Sequence, residues 1–516
     1  MGKNAERSSR PANRTTGTAG PELAAERQAA KGARLNPRPT RVRAASRAGD
    51  GRAFDLLVIG AGSAGFAAAS RGAELGYRVA MAGAGTIGGT CVNVGCVPSK
   101  ALIRALEAHH LAGQRRFRGV ETRAGRLDWP AIIAHKDELV RELRQSKYVD
   151  VLAAYPAITY IEGRARLAGR NGAEIGGRTY LPGKIIVTSG AHAWAPPVPG
   201  LPESGFLTST TALDLTELPK SMLVLGAGAV GLELAQTFAR AGTAVTLLEL
   251  LPRIAPSEDE DISQALAGYL EAEGLTIVTG FLAGRVGQEN GRYRLRGRQN
   301  QRELAFEAEQ LLVAAGRRPN TDGLGLVEAG VRLGPQGEIL VDQTLQTSNP
   351  AVYAAGDVLG REMFVYAAAN AGALAAENAL ENAGRLFDTS YIPRITFTDP
   401  QIASAGLTEA QARAQGFKVR AGVLAMEHVA RAQVSRDTRG LIKMVVDEAS
   451  DRLLGVHTLA PEGGEIIQTA ALAIRFGITA QQLRETMFPY LTNAEGLKLA
   501  ALSLERDVAL LSCCAG

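Results

Sequence analysis

Gly88-Gly89-Thr90-Cys91-Val92-Asn93-Val94-Gly95-Cys96-Val97-Pro98-Ser99-Lys100 is the stretch that decides the fold. Its two thiols are five positions apart, so a chain winding into a helix brings them to the same side. Cross-linking needs Cα atoms about 4.4–6.8 Å apart, which the start of a helix supplies. A thiolate near a helix N-terminus has its pKa lowered, which favours the nucleophilic and metal-binding form. Gly88, Gly89 and Gly95 let the backbone approach something flat. In isolation such a pair is more often a structural disulfide or two buried thiols. Here it follows a strand–GxGxxG–helix unit at the spacing where a cofactor lies, and that context favours a reactive pair.

That upstream unit begins at Phe54. Asp55-Leu56-Leu57-Val58-Ile59 is a short apolar run leading into Gly60-Ala61-Gly62-Ser63-Ala64-Gly65 and an Ala-rich helix to Gly76, with Val79-Ala80-Met81 as the next strand. In a dinucleotide fingerprint the first glycine permits the turn and the second lets backbone approach the pyrophosphate. The third permits close helix–strand packing. An acid on the ribose belongs at the end of the second strand, yet Ala82-Gly83-Ala84 has none.

Further along, the pattern recurs. Ser221-Met222-Leu223-Val224-Leu225 leads into Gly226-Ala227-Gly228-Ala229-Val230-Gly231, a helix from Leu232 to Ala241 and a strand Val245–Leu248 ending in Glu249. One such turn is weak evidence; two complete units predict two dinucleotides. Glu249 lies where a carboxylate bonds a ribose 2′-OH and repels a 2′-phosphate, which favours NADH over NADPH unless Arg253 intervenes.

The flanking segments give the domain plan. Lys184–Gly190 and Ala195–Gly200 read as strand and exit linker, and Leu311–Asn320 closes the inserted unit. Val352-Tyr353-Ala354-Ala355-Gly356-Asp357 reads as a strand presenting a carboxylate to a polyol hydroxyl. After Arg394, strands such as Leu441–Val446 and helices around Glu465–Phe476 and Ala480–Thr486 carry no phosphate loop, as in an interface domain. The fold class is α/β: two Rossmann-like dinucleotide-binding domains, the second inserted in the first, plus a C-terminal α+β dimerisation domain. The boundaries are 54–199 with 319–388, then 200–318, then 389–516.

Composition bounds the rest. The chain has 516 residues, enough for about three domains. No apolar run reaches the ~18 residues of a membrane span, and no secretory h-region is present. The four cysteines, Cys91, Cys96, Cys513 and Cys514, form two close pairs, which fits reactive chemistry in a reducing, cytoplasmic setting better than a secreted disulfide scaffold. The net charge of +5 is misleading. Residues 1–53 hold twelve Lys/Arg against four Asp/Glu, so the remainder is slightly acidic. With no aromatic residue and few large aliphatics, this arm reads as disordered and solvated. A basic tail contacting nucleic acid or a membrane surface, or a transit-like peptide, is the alternative; no nucleic acid and no membrane insertion are expected.

Together the Gly88–Lys100 stretch, the two fingerprints, Ala315-Gly316-Arg317-Arg318-Pro319-Asn320 and Ala355-Gly356-Asp357 resemble the pyridine nucleotide–disulfide oxidoreductases, from Phe54 to Gly516. Within that family, Phe488-Pro489-Tyr490-Leu491-Thr492-Asn493-Ala494-Glu495 and the terminal Ser512-Cys513-Cys514-Ala515-Gly516 are similar to the mercuric reductase branch.

The resemblance implies FAD on the first unit, contacted by Gly60, Gly62, Ser63, Ala64, Gly65, Gly89, Thr90, Lys100 and Asp357. It implies NADPH or NADH on the second, contacted by Gly226, Gly228, Val230, Gly231, Glu249 and Gly316. By the same resemblance Cys96 contacts the flavin, Cys91 is the interchange thiol, and Lys100 pairs with Glu233. Disulfide reductases of the family carry a histidine acid/base where this chain has Tyr490, a catalytic candidate whose phenol would help ligate or position a soft metal ion, while Thr492 and Glu495 keep the frame. The branch further implies a homodimer in which Cys513 and Cys514 of one subunit pass Hg(II), as a thiol complex, to Cys91 and Cys96 of the other. Relatives often have an N-terminal cysteine-containing domain; residues 1–53 contain no cysteine. A disulfide reductase and a metal-sequestering flavoprotein are the rival readings.

Overall fold

The computed structural model describes residues 53–510. The basic arm, apart from residue 53, and the Cys513-Cys514 tail lie outside the described residues.

The first unit opens with β1 (Leu56–Ile59), followed by α1 (Ser63–Glu74) and β2 (Val79–Gly83). Two helices come next, α2 (Gly89–Val94) and α3 (Cys96–Gly113), then strands β3 (Ile158–Glu162) and β4 (Lys184–Val187). The second unit contains β5 (Ser221–Leu225), α4 (Ala229–Ala241), β6 (Ala244–Leu248), β7 (Thr276–Val278) and β8 (Gln310–Val313). The chain then returns through β9 (Val352–Ala354) and α5 (Val365–Glu381).

Spatially these make two parallel sheets, β9-β4-β1-β2-β3 and β7-β6-β5-β8. A parallel sheet is covered on both faces, so its strands read as unbroken apolar runs rather than alternating ones. β1 is such a run, Leu-Leu-Val-Ile, with all four residues buried. Each of these side chains contributes about 1.5–3 kcal/mol of burial before chain entropy is subtracted. β1 sits mid-sheet in register with β2 (Leu56 opposite Val79) and with β4 (Leu56 opposite Lys184). The turn after β1 therefore emerges at the centre of the sheet's carboxyl edge, where open α/β sheets bind ligands.

The segments entering and leaving the second unit pair with each other. Ala191–Ala193 runs antiparallel to Arg317–Pro319, with Arg317 opposite Ala193. After α5 the chain forms a five-stranded antiparallel sheet from segments 394–396, 401–406, 453–460, 441–447 and 419–425, in that spatial order. The helices that accompany it include α6 (Gly463–Arg475), α7 (Ala480–Glu485) and α8 (Glu495–Leu502).

Two local expectations are corrected. The thiol stretch is not one helical start but two helices broken at Gly95, whose φ of −133° and ψ of −108° leave the helical region. A Cβ at Gly95 would sit 2.9 Å from the Thr90 carbonyl oxygen, so the break depends on a missing side chain. The strand before Asp357 ends at Ala354, and Asp357 opens a short 3-10 turn, Asp357–Leu359, after Gly356.

Candidate active site

The two fingerprints are built on one plan. Gly60 has φ +123° and Gly226 has φ +108°, and a Cβ on either would meet a carbonyl oxygen, Thr188 O at 2.2 Å or Ala314 O at 2.5 Å. One turn on, a Cβ at Gly65 or Gly231 would stand 1.9 Å from the carbonyl oxygen of Gly60 or Gly226. Both helices start at a glycine N-cap in extended conformation with no side-chain cap, Gly62 for α1 and Gly228 for α4. First-turn amides left without a side-chain acceptor, at the positive end of a helix, form a site for phosphate. Ser63, Ala64 and Val230 lie in those first turns, and Val230 is 40% exposed. The donor set fits a dinucleotide pyrophosphate at each turn.

The thiol stretch docks onto the first of these turns. A Cβ at Gly89 would lie 2.6 Å from Gly62 Cα, so α2 packs backbone against backbone on the phosphate loop. The loop before it is held by Asn93, which donates from Nδ2 to Ile87 O at 2.9 Å and Gly89 O at 2.8 Å. Arg144 donates in turn to Asn93 Oδ1 at 3.1 Å. Gly89 and Gly95 thus allow close packing against the protein's own backbone, and Gly88 leaves room for the Val92 side chain and the Tyr148 ring. Cys91 lies in α2 and Cys96 at the first position of α3, both half-buried and not joined to each other.

Electrostatics divides the pair. The neighbouring Cys91 thiol is the largest influence on Cys96 and, with the Lys100 ammonium, lowers its pKa from 9.0 to about 7 against the opposing effect of burial. Cys91 is driven the other way, first by its interaction with Cys96 and then by burial. One proton is therefore held on Cys91 while Cys96 is the thiolate, at the helix terminus that best accommodates it.

Lys100 and Glu233 meet as expected. Lys100 Nζ donates to Glu233 Oε2 at 2.7 Å, and the carboxylate is 6% exposed. The second oxygen, Oε1, accepts from Phe397 N at 2.9 Å, and Lys100 lies 4.6 Å over the Phe397 ring. One ion pair thus ties α3 of the first unit to α4 of the second and to the antiparallel domain. Asp357 is largely buried; burial raises its carboxyl pKa and Arg317 opposes this, with Nε 4.0 Å from Oδ2. Gly316, at φ +132°, precedes that arginine at the end of the inserted unit.

Glu249 directly follows β6. It is 7% exposed at the end of β6; Oε2 accepts from Ala227 N at 2.7 Å and Oε1 from Leu251 N at 2.9 Å. Arg253 is engaged elsewhere, donating to Glu258 O at 2.8 Å, Ser263 Oγ at 2.6 Å and Pro256 O at 3.0 Å.

Tyr490 is 49% exposed on the segment between α7 and α8, beside Met487 at 93% and Leu491 at 41%. Thr492 stands just before α8, accepting from Glu495 N at 3.3 Å and donating to Pro489 O at 2.8 Å. Cys513 and Cys514 fall outside the described residues. Sequence reasoning missed two further phenols. Tyr148, edge-on to Phe66 at 4.9 Å, has its pKa raised by burial and then by Cys91 and Cys96. Tyr366 also feels Cys96, though burial is the main cause of its upward shift. Neither lies in a motif, and only long-range packing brings them to the thiols.

With this geometry in place, comparison with known proteins is direct. The family model described as pyridine nucleotide-disulphide oxidoreductase matches residues 54–372, and that family's dimerisation domain matches 392–501. The chain belongs to the pyridine nucleotide-disulphide oxidoreductase family, whose members use FAD and a nicotinamide nucleotide. It is 44% identical over 471 residues to a mercuric reductase of Streptomyces lividans, covering 90% of this chain and 98% of that one. A mercuric reductase of Bacillus cereus is 42% identical over 463 residues, covering 90% and 73%. Among solved structures, the HOCl-induced flavoprotein disulfide reductase RclA from Escherichia coli superposes with a TM-score of 0.77 at 30% identity, covering 87% of this chain and 99% of that one.

Proposed function

We propose that this chain is a flavin-dependent mercury(II) reductase that converts Hg(II), presented as a thiol complex, to elemental mercury with NAD(P)H. The reaction balances as NAD(P)H plus Hg(II) giving NAD(P)+, a proton and Hg(0). The observation that carries the reading is a thiol–thiolate pair packed on a dinucleotide turn, in a chain with tyrosine where disulfide reductases of the family hold an acid/base histidine. A soft cation favours thiolate ligands and needs no protonation of a leaving thiol. FAD supplies the relay that accepts hydride from the nicotinamide and delivers an electron pair at the thiols.

The chain's own residues do the rest. Cys96 provides the standing thiolate, Cys91 the second ligand once its proton is lost, and Lys100, fixed by Glu233, holds positive charge beside them. Tyr148 and Tyr366 place phenols close to the same pair. Gly60, Gly62, Ser63, Ala64, Gly65, Gly89, Thr90 and Asp357 are the proposed FAD contacts. Gly226, Gly228, Val230, Gly231, Glu249 and Gly316 are the proposed nicotinamide-nucleotide contacts. Glu249, with Arg253 tied into its own loop, favours NADH over NADPH.

The proposed assembly is a homodimer through the 389–516 domain, with exposed Phe476, Met487, Tyr490 and Leu491 available to the partner. Cys513 and Cys514 of one subunit would deliver the ion to Cys91 and Cys96 of the other. The other domains are 54–199 with 319–388 for FAD and 200–318 for the nucleotide. No helix among the described residues is long and apolar enough to cross a membrane, and the thiol chemistry fits the cytoplasm.

The test is anaerobic NAD(P)H oxidation with HgCl2 in excess thiol, set against oxidised lipoamide and oxidised glutathione. Turnover with mercury alone is expected; turnover with either disulfide and not with mercury would overturn the reading. Cys513→Ala/Cys514→Ala should slow turnover of thiol-bound mercury while flavin reduction by NAD(P)H, followed by stopped-flow absorbance, stays intact.

A further inference from the structure

The first fingerprint lacks the acid that the second one has. Glu249 shows where that acid belongs: at the end of the second strand of its unit, with its carboxylate on the amide of the second fingerprint residue, Ala227. The equivalent places in the first unit are Gly83, the last residue of β2, and Ala61. Gly83 has an ordinary negative φ, so glycine is not there for the backbone's sake. It is there for space. A Cβ built on Gly83 would lie 3.0 Å from the Ala61 Cβ, which confirms that position 83 faces the fingerprint turn, and 2.5 Å from the hydroxyl oxygen of Tyr160.

Tyr160 comes from β3, which pairs in parallel with β2 so that Tyr160 is opposite Met81 and Glu162 opposite Gly83. Strand side chains two apart share a face, and a tyrosine is long enough to lean along the strand past its neighbour. The ring therefore reaches over Gly83, with Cε2 3.0 Å from the same Cβ position, and sets its oxygen where an acidic side chain would start. The ring is half-buried, and no hydrogen bond to the hydroxyl is found among the described residues. The hydroxyl is not among the buried polar atoms that lack a partner, so it is reachable by a ligand.

We propose that Tyr160 is the ribose-binding residue of the first dinucleotide site, its neutral phenol taking the adenosine ribose hydroxyls of FAD in place of the absent carboxylate. Gly83 and Tyr160 are a matched pair: the tyrosine fits only above a glycine, and the glycine leaves the ribose to the tyrosine. The contact is weaker than a carboxylate's, because a neutral hydrogen bond is about half as strong as a charge-assisted one. The inference rests on FAD occupying the first unit.

The test follows release of FAD from the purified holoenzyme by its fluorescence in dilute urea, independent of any turnover. Tyr160→Phe should speed release about fivefold, the usual worth of one neutral hydrogen bond. That acceleration should vanish when the enzyme carries an FAD analogue with 2′,3′-dideoxyadenosine, which has no ribose hydroxyl to lose. Gly83→Glu alone should speed release, since it collides with the ring, whereas Gly83→Glu added to Tyr160→Ala should slow release relative to Tyr160→Ala. Wild-type release kinetics in flavin-loaded Tyr160→Phe, or an undiminished effect with the dideoxy analogue, would overturn this inference alone. Wild-type protein purified without flavin would overturn the cofactor assignment with it.

Discussion

The two dinucleotide units share a skeleton and differ at the tip. Gly60 and Gly226 take the same left-handed turn against a neighbouring carbonyl, and Gly65 and Gly231 press equally close to the first glycine of their own turn. At the end of the next strand they part: Gly83 under a tyrosine in one, Glu249 bridging two amides in the other. Phosphate binding at such turns is a property of backbone, and the two turns repeat one backbone plan. Ribose recognition belongs to single side chains, so one unit can lose its acid and keep its pyrophosphate site.

The comparison is broken most severely at the shared skeleton. Gly65→Ala and Gly231→Ala each drive a Cβ to 1.9 Å from a carbonyl oxygen. Overpacking of this kind costs about 1–3 kcal/mol or more, falling mostly on the phosphate turn. Gly65→Ala should yield protein without bound flavin, read from its visible absorbance. Gly231→Ala should keep the flavin but lose its reduction by NAD(P)H in stopped flow.

The link between the units comes next. Cys96 has a folded pKa of about 7, below its ordinary 9.0, so its thiolate is present above pH 7 and is lost as pH falls through that value. The stability this shift contributes follows the same direction, full above about 9 and lost on acidification through 7. Thiol alkylation of the reduced enzyme should accordingly rise through pH 7. Lys100→Met should move that midpoint upward, since the ammonium is one of the groups that lower it, and should slow mercury turnover about 10–100-fold through lost electrostatic stabilisation. An unmoved midpoint would detach Lys100 from the thiols.

The smallest effect sharpens the contrast at the tips. Glu249→Ser removes the carboxylate proposed to repel a 2′-phosphate, and should shift the kcat/KM ratio of NADH to NADPH by about tenfold toward NADPH, the worth of one charge contact. An unchanged ratio would place nucleotide choice elsewhere.

Much of this was legible because it is local. GxGxxG between a strand and a helix, CxxxxC after it and Glu249 at a strand end are patterns within a few residues of one another, and the strand–turn–helix units form where those patterns put them. The pairing of Lys100 with Glu233 followed from family resemblance, since the two residues are 133 positions apart and no periodicity joins them. The break at Gly95 was missed because its cause is a carbonyl five residues back, not a helix-breaking proline. Tyr148, Tyr160 and Tyr366 were missed for a different reason: each comes to its site on an element packed from afar, and a lone tyrosine in a strand or helix looks like any half-buried aromatic.

Glu233 lies five residues beyond Gly228, so about 7.5 Å of helix rise separates the nucleotide's turn from the carboxylate that anchors Lys100. α4 is consequently a short rigid lever with a phosphate pocket at one end and the counter-ion of the thiol centre partway along. Any axial slip of that rod displaces the lysine's anchor by an equal distance, so the registry of donor and acceptor sites is gauged by a single helix rather than by the domain shell around it.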